Sequence, residues 1–254
     1  MKHLSWDWAS LLPFVAVGFL AQLIDGALGM AFGVVNSTLL VGVLGISPVA
    51  ASASVHAVET FTTAASGLSH IAHRNVDWRL FRRLVIPGVI GGALGAYVLV
   101  GIDSAITRPV VMAYLATIGL YLLYRAWHGV PAPREPRIVS PLGFAGGFLD
   151  AIGGGGWGPV VTSNLLVQGA SPRSTIGTVS VSEFFLTATI SATFIATVGF
   201  AAFTVATVGI LIGGLAAAPL GGWIAKHVPA RPLMAMVGIT LSLTSAYAIV
   251  KALS

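Results

Sequence analysis

Apolar residues fill this chain in long runs, and the polar positions that interrupt them recur. Apolar stretches cover roughly 9–24, 34–46, 49–71, 84–101 and 108–124, then 139–152, 159–169, 174–198, 203–225 and 232–250. That makes ten, or eight if the interrupted pair opening each half is counted as one. The longer stretches reach the roughly 20 residues needed to cross a ~30 Å hydrocarbon core. The runs 34–46 and 159–169 do not: at 1.5 Å per residue they predict half-helices of about 15–20 Å. The pattern predicts an all-α integral membrane protein.

The interruptions repeat. Asp25, Gly29 and Gly33 are spaced by four and four, as are Asp150, Gly154 and Gly158. Ser47-Pro48 and Ser171-Pro172 follow, and in both copies a glutamate, Glu59 or Glu183, stands eleven residues after the proline. Further on, Gly88, Leu94 and Gly95 pair with Gly214, Leu220 and Gly221 at one constant offset, and Arg108-Pro109 pairs with Arg231-Pro232. Each half therefore predicts a glycine-broken opening element, re-entrant or discontinuous, plus three transmembrane helices. The first repeat spans 1–124, a polar cytoplasmic linker 125–139, and the second repeat 140–254. Hydrophobic repeats broken by glycine at matching places are a transporter signature, because helices interrupted inside the membrane leave backbone ends that can bind a solute.

Composition agrees. Mean hydropathy is +0.92 and charged residues make up 8%, against about 25% in soluble domains. The excess of 13 Lys+Arg over 8 Asp+Glu reads as arginine in cytoplasmic loops rather than nucleic-acid binding. With no cysteine, disulfides, thiolate metal sites and iron–sulfur clusters are excluded. Met1 to Trp8 lacks the basic start and cleavage site of a signal peptide, so the first apolar stretch is expected to belong to the mature protein. Arg74, Arg79, Arg82 and Arg83 in one loop, and Arg125, Arg134 and Arg137 in the linker, predict a cytoplasmic side for both. The second half could be inverted or parallel to the first. Charge separates the two poorly, and the short half-helices favour inversion, with Arg173, Lys226 and Arg231 also cytoplasmic. Trp78, Trp127 and Trp223 then lie near that interface.

The candidate chemistry sits at the interruptions. Gly153 to Gly156, then Trp157, Gly158 and Pro159, permit positive φ and close backbone approach to a ligand. Pro159 is predicted to start a new helix, with Thr162, Ser163 and Asn164 in its first turns. Free N–H groups there favour an anion. The first half offers Gly29, Gly33, Asn36, Ser37 and Thr38. Gly154, Gly155 and Gly156 are the sharpest candidates for substrate contact. Asp25, Asp150, Glu59 and Glu183 are acids in apolar sequence, costly unless functional. Glu59 and Glu183 are candidates for proton coupling, since a buried carboxyl can exchange between neutral and charged forms. His56 shares a helix face with Glu59, whereas Ser180 holds that place in the second half. Asp25 and Asp150 either couple protons or cap backbone groups at the breaks. The expected partners are a small anion, protons and membrane lipids, with a homodimer open and no nucleic acid, cofactor or metal. The sequence carries no nucleotide-binding motif, no His-Glu-x-x-His cluster and no Gly-x-Ser-x-Gly elbow, which argues against ATP-driven transport and against an enzyme. A passive anion channel stays open as an alternative.

The run from Asp150 through Gly153–Gly156, Trp157, Gly158 and Pro159 to Val161, with Gly169 to Arg173 and Gly177-Thr178, resembles the TauE/SafE sulfite exporter family of membrane permeases. The run from Ile24 to Gly33 with Ser47-Pro48 looks like the same unit, although Leu28 and Met30 to Phe32 depart from the glycine-rich pattern. The resemblance covers nearly the whole chain. It implies a multi-pass transporter of the bacterial inner membrane, an exporter of sulfite, organosulfonates or related anions, coupled to protons. A non-sulfur carboxylate anion is the alternative substrate.

Overall fold

The computed structural model describes residues 8–28, 30, 32–128, 135–202, 205–227 and 230–253, some of them by backbone alone. Regular structure among them is helical throughout. The first half opens with α1 (Trp8–Leu28) and α2 (Phe32–Ser37), which runs on as a π-helical turn, Thr38–Val43. Then come α3 (Pro48–Ala72), α4 (Trp78–Val100) and α5 (Ser104–His128). The second half opens with α6 (Ser140–Gly153), a π-helical turn Trp157–Thr162 and α7 (Ser163–Val167). It continues with α8 (Pro172–Val198), a 3-10 turn Gly199–Ala202, α9 (Val205–His227) and α10 (Ala230–Leu253).

Local chemistry sets the helix ends. Asp77 caps α4, its carboxylate accepting the N–H of Arg79 and Leu80 at 2.8 and 3.0 Å. Pro172 opens α8, where a missing N–H costs nothing. Gly154, at φ +66, ends α6 in the left-handed region that glycine enters without a steric penalty. Among the described residues, Trp78–Val100, Pro109–His128 and Ser174–Val198 are long and apolar enough to cross a membrane. The 25 residues of α3 extend about 37 Å, yet α3 is not among these. Its Ser52, Ser54, His56, Glu59, Thr62 and Thr63 lower its hydropathy, and all six are buried. This helix turns a polar side inward, as α8 does with Thr178, Ser180, Ser182, Thr187 and Ser191.

Helices of one half pack on helices of the other, through small residues that let backbones approach. On α4 and α6, Leu84 faces Gly143, Gly88 faces Gly147, and Gly95 faces Phe148 and Ala151, so these helices run the same way. Along α1 and α9, Gly209 and Gly213 face the stretch Leu11–Phe19 and again run parallel. The central pairs run opposite ways. On α3 and α8, Gly67 meets Val181 and Thr60 meets Ser191. On α5 and α10, Gly119 meets Ser242 and Leu123 meets Gly238.

The opening element of the second half is a hairpin. Gln168, just after α7, accepts the N–H groups of Arg137 and Ile138, both at 2.9 Å, and donates to Ile138 O at 3.0 Å. The element thus begins and ends at the same end of the molecule. Ser140 bonded to Arg83 O and Asp77 N bonded to Thr178 bring the α3–α4 connection and the start of α8 to that end too. In the first half α1 and α3 both run along α9, with Ser54 bonded to Thr207 and Thr62 against Gly214. The segment between them, Phe32–Val43, therefore turns back in the same manner.

Candidate functional site

The two breaks touch each other. A Cβ on Gly33 would lie 2.7 Å from Gly155 Cα and 2.8 Å from Glu59 Oε1. Gly155 has φ +145, a conformation open to glycine and rarely to any other residue. Ser37, on the first half-helix, donates its hydroxyl to Gly154 O in the second break. These contacts leave a cavity of about 10 Å³, lined among others by Gly33, Gly155, Gly156 and the four acids Asp25, Glu59, Asp150 and Glu183. That volume holds about one water molecule. A solute larger than water enters only if the breaks part.

The aspartates cap the half-helices that follow them. Asp25 Oδ1 accepts Phe32 N at 3.2 Å and Asp150 Oδ1 accepts Trp157 N at 2.8 Å, each seven residues on. The second half-helix accordingly starts at Trp157 rather than at Pro159, because the Asp150 carboxylate reaches that N–H and anchors the π-helical turn there. Asp150 Oδ2 also meets His56 Nε2 at 2.9 Å, both groups buried. His56 Nδ1 lies 2.7 Å from Ser52 O. A carbonyl only accepts, so Nδ1 carries a proton and the ring is locked with Nε2 aimed at Asp150. The sequence expectation placed His56 beside Glu59, on the same helix face. The ring instead crosses to the other half, where the position matching it is Ser180.

Glu59 is buried, 4% exposed. Its carboxyl takes the N–H of Gly33, while Oε2 has no partner and faces a cavity lined by three further carboxyls. Glu183 is half-buried on the same cavity. Donor groups at the first break are thus held by the protein's own acids.

Other candidates lie further out. Asn36, Thr38 and Asn164 bond back to the carbonyls of Phe32, Val34 and Val160, one turn earlier. Asn36 Oδ1 remains buried and unpartnered. Thr162 is buried, and neither it nor these three lines the cavity. The wholly buried Trp157 indole packs on Gly88 and Gly146 and donates to Val179 O at 3.3 Å. It locks the hairpin rather than facing the cavity. Gly158 lines the cavity, Ser163 is placed by its backbone alone, and Gly29 lies outside the described residues.

Sequence reasoning missed two neighbours. Ser52 donates to Ala151 O at 2.6 Å, tying α3 to the break. Its spacing of four from His56 is a visible clue. Tyr114 of α5 stands against Gly153 and Gly156 with its hydroxyl buried and unpartnered, and nothing in its surrounding sequence signals this.

The chain matches the family described as sulfite exporter TauE/SafE over residues 14–248. It is 41% identical over 245 residues to the probable membrane transporter protein YtnM of Bacillus subtilis (strain 168), covering 93% of this chain and 81% of that protein. No solved structure gives a significant match. An apolar helical bundle with two interlocked breaks around buried acids is a transporter's architecture rather than an enzyme's, and with the match across nearly its whole length the chain belongs to the sulfite exporter TauE/SafE family of multi-pass membrane transporters.

Proposed function

We propose that the protein exports small sulfur-containing anions, such as sulfite or organosulfonates, across the bacterial inner membrane in a proton-coupled cycle between two inverted halves. The antiparallel packing of α3 on α8 and of α5 on α10 supports inversion, since matching helices oppose each other about an axis in the membrane plane. Arg74, Arg79, Arg82, Arg83 and Arg137 gather at the end where the second hairpin opens, which favours a cytoplasmic position for it.

The observation carrying the coupling is the convergence of Asp25, Glu59, Asp150 and Glu183 on one cavity between the breaks. An anion about 4 Å from an ionised carboxylate is opposed by about 4 kcal/mol at an effective dielectric near 20. That is roughly a thousandfold in affinity. Glu59 must therefore be neutral, and must give up the Gly33 N–H, for an anion to use that donor. A proton and the anion then occupy the site together and move the same way, so export is driven by the outward gradient of the anion itself, with the pH gradient setting the extent. Asp150 is already engaged by His56 Nε2 and by the Trp157 N–H. Helix N-termini and opened backbone N–H groups supply the anion's hydrogen bonds, with no cationic side chain required.

The sign of the pH dependence follows. Anion affinity is highest where the glutamates are protonated and falls as rising pH ionises them. Glu59→Gln and Glu183→Gln mimic the neutral form. In proteoliposomes both variants should bind sulfite while losing the response of transport to an imposed pH gradient, Glu59→Gln more completely. Should both respond to the gradient as the parent does, the glutamates are structural and coupling lies elsewhere.

A further inference from the structure

A second polar cavity of about 370 Å³ opens at the end of the molecule where both α4 and α8 begin. Arg79 and Arg83, one turn apart on α4, form one wall, and Ser171, Ser174 and Thr175 from the first turn of α8 form the other. Among the described residues, no carboxylate lies within 4.0 Å of either guanidinium. Two acids share the lining. Asp77 is committed to capping α4, and Glu135 comes from the linker. The floor is Thr175. It is wholly buried, its peptide N–H bonds Ser171 O, and its hydroxyl oxygen has no partner. A buried hydroxyl left unpaired is costly unless something reaches it.

We infer that this cavity is a separate anion site, taking a small tetrahedral oxyanion of sulfur or phosphorus between the Arg79 and Arg83 guanidiniums and the first turn of α8, with Thr175 donating from below. The chemistry is complementary. Guanidinium forks pair with two oxygens of such an ion. The first-turn N–H groups of a 27-residue helix add donors and the positive end of its dipole. The same helix carries Glu183, eight residues or about 12 Å further along. The site thus stands one short step outside the central cavity, where it raises the local anion concentration ahead of the proton-dependent step.

The site does not depend on the carboxyl cluster, so it can be tested apart from it. The assay is equilibrium binding of radiolabelled sulfate to the full chain in phosphatidylcholine nanodiscs at low ionic strength. The parent should bind saturably. Arg79→Gln with Arg83→Gln should weaken binding by about tenfold or more, and Thr175→Val by several-fold. Arg82→Gln, on the same helix but off the lining, should leave it unchanged. If the double arginine variant binds like the parent, or if Arg82→Gln weakens binding as much as the double arginine variant does, the site is not where we place it. The same phosphate chemistry exists in lipid headgroups. If phosphatidylglycerol discs suppress sulfate binding and a tightly held lipid appears by native mass spectrometry in the parent but not in the arginine variant, the pocket is a headgroup site and the proposal fails.

Discussion

Gly154 and Gly155 are neighbours in one break, yet alanine should affect them differently, and the structure says why. At Gly155 the backbone has φ +145, and a Cβ would lie 2.6 Å from Gly33 Cα. Carbon atoms pack comfortably at about 3.5–4.0 Å, so the two breaks must separate by about 1 Å. The obstacle is backbone, which no rotamer change can move aside. Strain of about 1–3 kcal/mol and a similar overpacking cost give about 2–6 kcal/mol in all. At Gly154, φ is +66, a left-handed conformation costing alanine about 1–2 kcal/mol, and the new methyl meets the Ser37 hydroxyl. Ser37→Ala removes that obstacle while losing a hydrogen bond worth about 1 kcal/mol. The double variant Gly154→Ala/Ser37→Ala should therefore cost less than the two single costs added together, whereas Ser37→Ala should do nothing for Gly155→Ala. Thermal unfolding of detergent-purified protein, followed by size-exclusion fluorescence, measures both couplings. If Ser37→Ala rescues Gly155→Ala as well as it rescues Gly154→Ala, or if Gly155→Ala melts with the parent, the direct contact of the breaks is wrong.

His56→Ala leaves the buried Asp150 charge without its partner and should destabilise the protein by about 3–5 kcal/mol. Asp150→Asn added to it should restore much of the loss, because an amide oxygen still accepts the Trp157 N–H; melting curves of the four proteins give the cycle. For orientation, single cysteines at Arg137 and Phe200 probe opposite ends of α8 against a cysteine-free background. An impermeant thiol reagent added outside cells should label Phe200→Cys and spare Arg137→Cys, and the reverse pattern would turn the molecule over.

The breaks, the acids and the helix spans were legible in the sequence because each has a local cause. Glycine clusters interrupt helices wherever they fall, and an acid in an apolar run stands out by contrast. Ser47-Pro48 and Ser171-Pro172 mark the starts of α3 and α8 because proline suits the first turn. What escaped was non-local. His56 was matched to Glu59 by helix periodicity, yet the ring bonds Asp150, ninety-four residues away, a choice made by the packing of α3 on the second break. The start at Trp157 rather than Pro159 likewise depends on a carboxylate seven residues back, not on proline's preference. Asn36, Thr38 and Asn164 bond the preceding turn, as such side chains commonly do in a buried helix, a contact that the residue types alone do not reveal.

The exchange of opening helices between halves has a consequence for the order in which the protein is made. Gly18 of α1 packs on Ile210 of α9, and at about 5–20 residues per second the ribosome needs roughly 10–40 s to travel from one to the other. Throughout that interval α1 lacks the surface it packs on in the finished fold, while α4 waits a shorter time for α6. The α1–α9 contact therefore closes late in synthesis, after the central α3–α8 pair is already complete in the chain. A chain stopped before α9 lacks the helix that covers Gly18 in the finished fold.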